Sequence, residues 1–197
     1  EMVAKQSTMS RKRRKPAPLD RQALEDLALS YLARFATSRA RLEDYLRRKI
    51  RERGIAEGAE TLDVAALVKR MAELRYVDDA AFARARSAGL LRKGYGARRV
   101  DQALRQAGID EELRADASPG EAVGRRAALA LARKRGFGPF APLREASRPE
   151  DRAVWQKLRD KQIAAMIRAG HGFEAARALV EAASVDEAEA WAGQAEE

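Results

Sequence analysis

The residues of this chain best placed to do chemistry are cations around a turn. Arg92 and Lys93 stand just before Gly94-Tyr95-Gly96, and Arg98 and Arg99 just after it. Four positive charges gathered at one tight turn suit an anion, either the phosphates of a nucleic acid or an acidic face on a protein. Two phosphate motifs with similar glycines do not fit. Gly89 and Gly94 have P-loop spacing, but Tyr95 and Gly96 occupy the places of the required Lys and Ser/Thr. Gly94-Tyr95-Gly96 opens a dinucleotide fingerprint, but Arg99 fills the third glycine position and no strand pattern precedes it. Tyr95 itself can stack on a base or a partner side chain, or pack on the adjoining helix.

Catalytic alternatives find little support. The only histidine, His171, lies between two glycines and has no cysteine partner, because the chain has no cysteine. It reads as a turn residue, and no metal or cofactor is expected. The 30 acidic residues are spread as helix caps and i,i+4 partners instead of forming an acid/base pair. The chain is read as a binding protein and not as an enzyme.

The elements that must position these cations are helical. Val100, Ala103, Leu104 and Ala107 repeat at helical period after the turn, with Arg98, Arg99 and Arg105 off the stripe. Gly108 suits a left-handed helix end. Before it, Leu24, Leu27, Ala28, Tyr31, Leu32 and Phe35 form one stripe, with Asp20 as N-cap. Leu42, Tyr45, Leu46 and Ile50 form a second, and Val64, Leu67, Val68, Met71 and Leu74 a third. No segment alternates with strand period, so the expected fold is all-α.

The pattern recurs, and the middle helices register on one another. Arg41-Leu42…Leu46-Arg47 matches Arg99-Val100…Leu104-Arg105 and Gln162-Ile163…Ile167-Arg168, at separations of 58 and 63 residues. The chain therefore reads as a curved or elongated tandem array of three three-helix repeats, 20–76, 77–118 and 119–183. Leu42, Leu46, Val100, Leu104, Ile163 and Ile167 are expected to be buried. Asp78 and Asp79 read as helix caps and Phe82 as core. Residues 1–19, with the run Arg11 to Lys15 and two prolines, read as a disordered basic tail. Residues 184–197 read as an acidic one, and 136–146 as an inserted loop.

With 39 basic against 30 acidic residues the net charge is +9, which favours polyanions or acidic protein faces. Basic clusters recur at Arg47-Arg48-Lys49 and Arg133-Lys134-Arg135. The candidate partner- or DNA-binding residues are Arg47, Arg48, Lys49, Arg92, Lys93, Tyr95, Arg98, Arg99 and Arg105. A merely solvated face remains the other reading of these charges. No apolar run approaches the roughly 20 residues that span a bilayer, and the absence of cysteine suits a reducing cytoplasm.

Tyr76-Val77-Asp78-Asp79-Ala80-Ala81-Phe82-Ala83, followed by Arg92-Lys93-Gly94-Tyr95-Gly96 and the helix ending at Gly108, resembles the central signature of the RecX family, bacterial regulators of the RecA recombinase. Tyr31-Leu32-Ala33-Arg34 and Ser38-Arg39…Leu42 extend the resemblance, which covers roughly 20–182. It implies a monomeric, non-enzymatic cytoplasmic modulator of DNA repair, recombination and the SOS response. Such a protein binds RecA, lies in the groove of its filament on DNA, and limits filament growth, ATP hydrolysis and strand exchange. Single- and double-stranded DNA are further candidate partners. A stand-alone nucleic-acid-binding helical protein is the alternative, and a helical scaffold for some other protein is a third.

Overall fold

A computed structural model describes residues 17–59, 61–141 and 152–194. Most of the expected basic tail (1–16) and residues 142–146 of the expected loop lie outside them. Among the described residues the chain forms ten α-helices, one 3-10 turn and no strand. The first unit holds α1 (Arg21–Leu32), α2 (Arg39–Arg53) and α3 (Val64–Glu73). The second holds α4 (Asp79–Arg92), α5 (Ala97–Arg105) and α6 (Glu111–Asp116). The third holds α7 (Glu121–Arg135), the 3-10 turn Gly138–Phe140, α8 (Arg152–Arg168), α9 (Phe173–Glu181) and α10 (Val185–Gly193).

The starts of these helices are written in short polar side chains. Asp20, Ser38, Asp63, Asp78, Asp110 and Ser184 each accept from the backbone N–H three residues on, which satisfies a donor the helix itself leaves free. Four ends share one device. The chain turns left-handed at Gly94, Gly108, Gly136 and Gly170. The next N–H then reaches back to a carbonyl five residues earlier: Tyr95 to Leu90, Ile109 to Leu104, Phe137 to Ala132 and His171 to Met166. Arg75 makes the same turn at φ 61 without being glycine.

Each unit buries its own apolar cluster. Leu24, Leu42, Leu46, Val68 and Met71 centre the first. Val100, Leu104, Ala107 and Ile109 centre the second. Ala128, Ile163, Met166, Leu179 and Val180 centre the third. Leu104 is wholly buried, so truncating it to alanine removes packing worth about 2–5 kcal/mol.

Besides Leu74, placed on the third stripe but 53% exposed at the C-cap of α3, four expectations about packing and tails need correction. Ile167 is 37% exposed while its neighbour Met166 is fully buried. The left-handed ends at Gly108 and Gly170 set the true register, which pairs Leu104 with Met166 and rotates Ile167 off the core by one helical step. Phe35 is 53% exposed, because α1 ends at Leu32 and the stripe does not continue past it; its ring leans on Tyr31 at 5.1 Å. Leu19, expected in the tail, is fully buried, and its N–H and carbonyl bond Gly54 and Ala56 at 2.9 Å each.

The fourth concerns the expected acidic tail, whose residues 185–193 form α10. Ser184 caps it, and the Glu187 carboxylate accepts from the Ala183 N–H at 2.7 Å. Ala188 and Ala192 are buried. Arg125 lies 4.7 Å over the Trp191 ring and donates to its carbonyl, and Arg133 pairs with Glu189. Those contacts seat the helix on α7.

Candidate functional site

The signature residues sit where the units meet. Asp78 caps α4, accepting from the Ala81 N–H at 2.9 Å, and that bond holds its carboxyl below the usual range. Asp79 does something different from the cap expected of it. It is buried, and its two oxygens accept at 2.8 Å from the backbone N–H and the Nε of Arg39 in the first unit. The same pairing raises the Arg39 pKa further above its usual value. Beside it the buried Ser38 hydroxyl donates to the Ala107 carbonyl, and the Arg41 guanidinium lies 5.9 Å over the half-buried Phe82 ring. A Cβ on Gly108 would come within 2.3 Å of the Ala40 Cβ. The start of α2 is therefore seated on the end of α5.

The start of α5 is seated in turn on the end of α8. The Gly96 N–H donates to the Ala169 carbonyl at 2.9 Å and the Arg98 N–H to Gly170 at 3.2 Å. A Cβ on Gly96 would fall 2.4 Å from the Gly170 carbonyl. His171 is only 4% exposed, so it is a turn residue with a structural job. Its Nε2 lies 2.9 Å from the Gly94 carbonyl; since a carbonyl only accepts, the hydrogen is on Nε2. Burial pushes this histidine's pKa below 6.5, against a smaller opposing effect of that bond.

The cations around the turn divide by pairing. Arg47 is bound to Glu43, Arg48 and Lys49 to Glu52, and Arg105 to Asp101. Arg92, Lys93 and Arg98 are exposed and enter no ion pair among the described residues. Arg99 bonds the Gln102 side chain and lies 6.0 Å over the Tyr95 ring. The structure thus gathers Arg92, Lys93, Tyr95, Arg98 and Arg99 at one turn, and places Arg47, Arg48 and Lys49 apart from them on α2.

A second copy of the motif was visible in the sequence only as a charge cluster. Lys134-Arg135-Gly136-Phe137-Gly138 repeats Arg92-Lys93-Gly94-Tyr95-Gly96 in residue type and in its left-handed glycine. Among the described residues no group of three or more His, Asp or Glu is placed to hold a metal. No described helix is long and apolar enough to cross a membrane.

The fold and its joints define a tandem helical protein whose most distinctive motif locks unit to unit. Residues 78–117 match the family model described as RecX, second three-helix domain. The chain is 30% identical over 176 residues to the regulatory protein RecX of Myxococcus xanthus (strain DK1622), covering 85% of this chain and 89% of that protein. The RecX crystal structure from Lactobacillus salivarius matches with a TM-score of 0.61 at 16% identity, over 81% of this chain and 94% of that one. A second crystal structure of regulatory protein RecX matches at 0.55 and 20% identity, over 78% and 70%. At those identities the structures speak for the fold. The chain belongs to the RecX family of regulatory proteins.

Proposed function

We propose that this protein binds the RecA recombinase on its nucleoprotein filament and restrains filament growth, ATP hydrolysis and strand exchange. It acts by occupancy, as a cytoplasmic monomer, with the units 20–76, 77–118 and 119–183 docking in succession along the filament groove. Family membership supports the partner. The observation that carries the reading onto residues is the pairing pattern: Arg92, Lys93 and Arg98 keep their charge available while Arg47, Arg48, Lys49 and Arg105 are bound to neighbouring carboxylates. Exposed paired cations contribute little to stability and little net field to a partner.

The test is the ATPase of RecA on single-stranded DNA with rising amounts of this chain. Wild-type protein should suppress it. The variant with Arg92, Lys93, Arg98 and Arg99 all changed to Ala should melt as wild type does, because none of the four is in the core, and should need at least about tenfold more protein for the same suppression, a loss of roughly 1.4 kcal/mol in binding. An ATPase indifferent to the wild-type chain, together with salt-sensitive DNA binding, would favour a stand-alone nucleic-acid-binding protein instead.

A further inference from the structure

We propose that the pocket between the second and third units is a seat for single-stranded nucleic acid, with backbone phosphates on Lys93, Lys134, Arg135 and Arg168 and a base against Tyr95. The pocket encloses about 300 Å³ where the ends of α4, α7 and α8 come together, with Phe137 in its wall. None of its described lining residues is acidic. None of the four cations takes part in an ion pair among the described residues. Elsewhere on the same unit Arg125 is bound to Glu121, Arg133 to Glu189, Arg159 to Asp160 and Glu181, and Arg177 to Glu174. Arg152, Lys157 and Lys161 share with the pocket cations the lack of an ion pair among the described residues. The pocket differs in gathering four such cations on one wall.

Cations at helix ends have an ordinary use, which is to balance the carbonyl end of the helix. Each such end carries about half a negative charge. Three ends offset roughly one and a half of the four positive charges, which leaves the pocket at about +2.5. The excess is what an anion would meet. Tyr95 then discriminates among anions. It lines the pocket yet stays 36% exposed, beside a guanidinium 6.0 Å from its ring. An acidic side chain from a protein needs one or two of these cations and no aromatic wall. A single strand brings one charge per nucleotide and unstacked bases that lie on aromatic rings. A duplex keeps its bases stacked inside and cannot offer one to Tyr95.

This seat requires no recombinase, so it stands apart from the filament reading and is tested without one. The measurement is fluorescence anisotropy of a short labelled oligothymidine over a salt series, with the duplex of the same length alongside. Changing Lys93, Lys134, Arg135 and Arg168 together to Ala should weaken single-strand binding at least about tenfold. The log–log salt slope should fall by roughly 2–3, at about 0.7 per lost phosphate contact. Changing Arg47, Arg48, Lys49 and Arg105 removes the same net charge and should leave affinity within about threefold, because those cations are already paired. Tyr95→Ala should weaken the single strand about 5- to 50-fold with the slope and the duplex unchanged, and Tyr95→Phe should restore it. If the fourfold variant does not melt like wild type, Lys134→Ala and Arg168→Ala alone should each lower the slope by about 0.7. The proposal is overturned if the pocket variant binds no worse than the paired-cation control. It is equally overturned if Tyr95→Ala affects duplex as much as single strand. Loss of filament binding with oligothymidine binding intact would assign the pocket to an acidic protein face, and would also overturn it.

Discussion

The two joints of the molecule occupy the same slot and are closed by different chemistry. In each, the start of one middle helix rests on the end of the next: Ser38 to Ala40 on Ala107 and Gly108, and Gly96 to Arg98 on Ala169 to His171. The first joint is closed by side chains, with Asp79 holding both the amide and the guanidinium of Arg39. The second is closed by backbone on backbone, with His171 as its one side-chain bond among the described residues. Side-chain bonds tolerate small shifts and can exchange for water, whereas main-chain bonds at contact cannot; each joint has a glycine, Gly108 or Gly170, where a methyl group would not fit. The first joint should therefore be the forgiving one.

The largest effect expected from that contrast is at Gly170. A Cβ there would stand 2.5 Å from the Arg99 nitrogen, on a backbone with φ +98. Gly170→Ala should cost about 2–6 kcal/mol in urea unfolding, combining steric overpacking with left-handed strain. A cost below 1 kcal/mol, by roughly the same scale, would mean that the second joint yields and the contrast fails.

Asp79→Ala probes the other joint and should cost less, about 1–3 kcal/mol. Arg39 is half exposed and can turn to water once its partner is gone, so the main loss is the buried end of the bond. If this substitution costs as much as Gly170→Ala, the side-chain joint is no more forgiving than the backbone one.

The smallest effect is a pH dependence confined to the second joint. The folded protein holds His171 neutral below its usual 6.5, while the unfolded chain takes up a proton there as pH falls through that value. Stability is therefore lost on acidification from about pH 7.5 downward until the folded value is reached, with a slope of at most about 1.4 kcal/mol per pH unit for one proton. His171→Gln keeps a donor for the Gly94 carbonyl and removes the titration. Thermal melts at pH 7.5 and 5.5 should show a larger drop for wild type than for the variant. Equal drops would show that the second joint is not the pH-sensitive one.

The sequence was informative wherever structure is decided locally. The caps at Asp20 and Asp78 and the buried stripe Leu42, Leu46, Val100, Leu104 could be read from residue type and spacing. It misled where two local cues competed. Ile167 is more hydrophobic in pattern than in place, and the glycine end at Gly170 was the better anchor for register. Ser184-Val185-Asp186-Glu187 carries a helix-start signature, and Ala188, Trp191 and Ala192 follow at helical spacing. The density of acidic residues hid that signal. The roles of Asp79 and His171 depend on which distant backbone comes to rest against them, and nothing in their own neighbourhood specifies that. Pairing of the cations was half legible: Glu43 to Arg47 and Asp101 to Arg105 are i,i+4 pairs, whereas the convergence of Lys93 with Arg168 is a product of the joint.

The glycine motif of the third unit, Gly136-Phe137-Gly138, turns inward. Gly94 and Gly96 carry the second unit onto the third, but a Cβ on Gly138 would strike the Leu179 carbonyl at 2.5 Å, within the same unit. The contact that elsewhere recruits a neighbour is here satisfied at home. Additive assembly of this kind normally leaves one receptive face at each end, from which another copy can be strung. Here the Gly138 turn faces Leu179 and Val180 of its own unit.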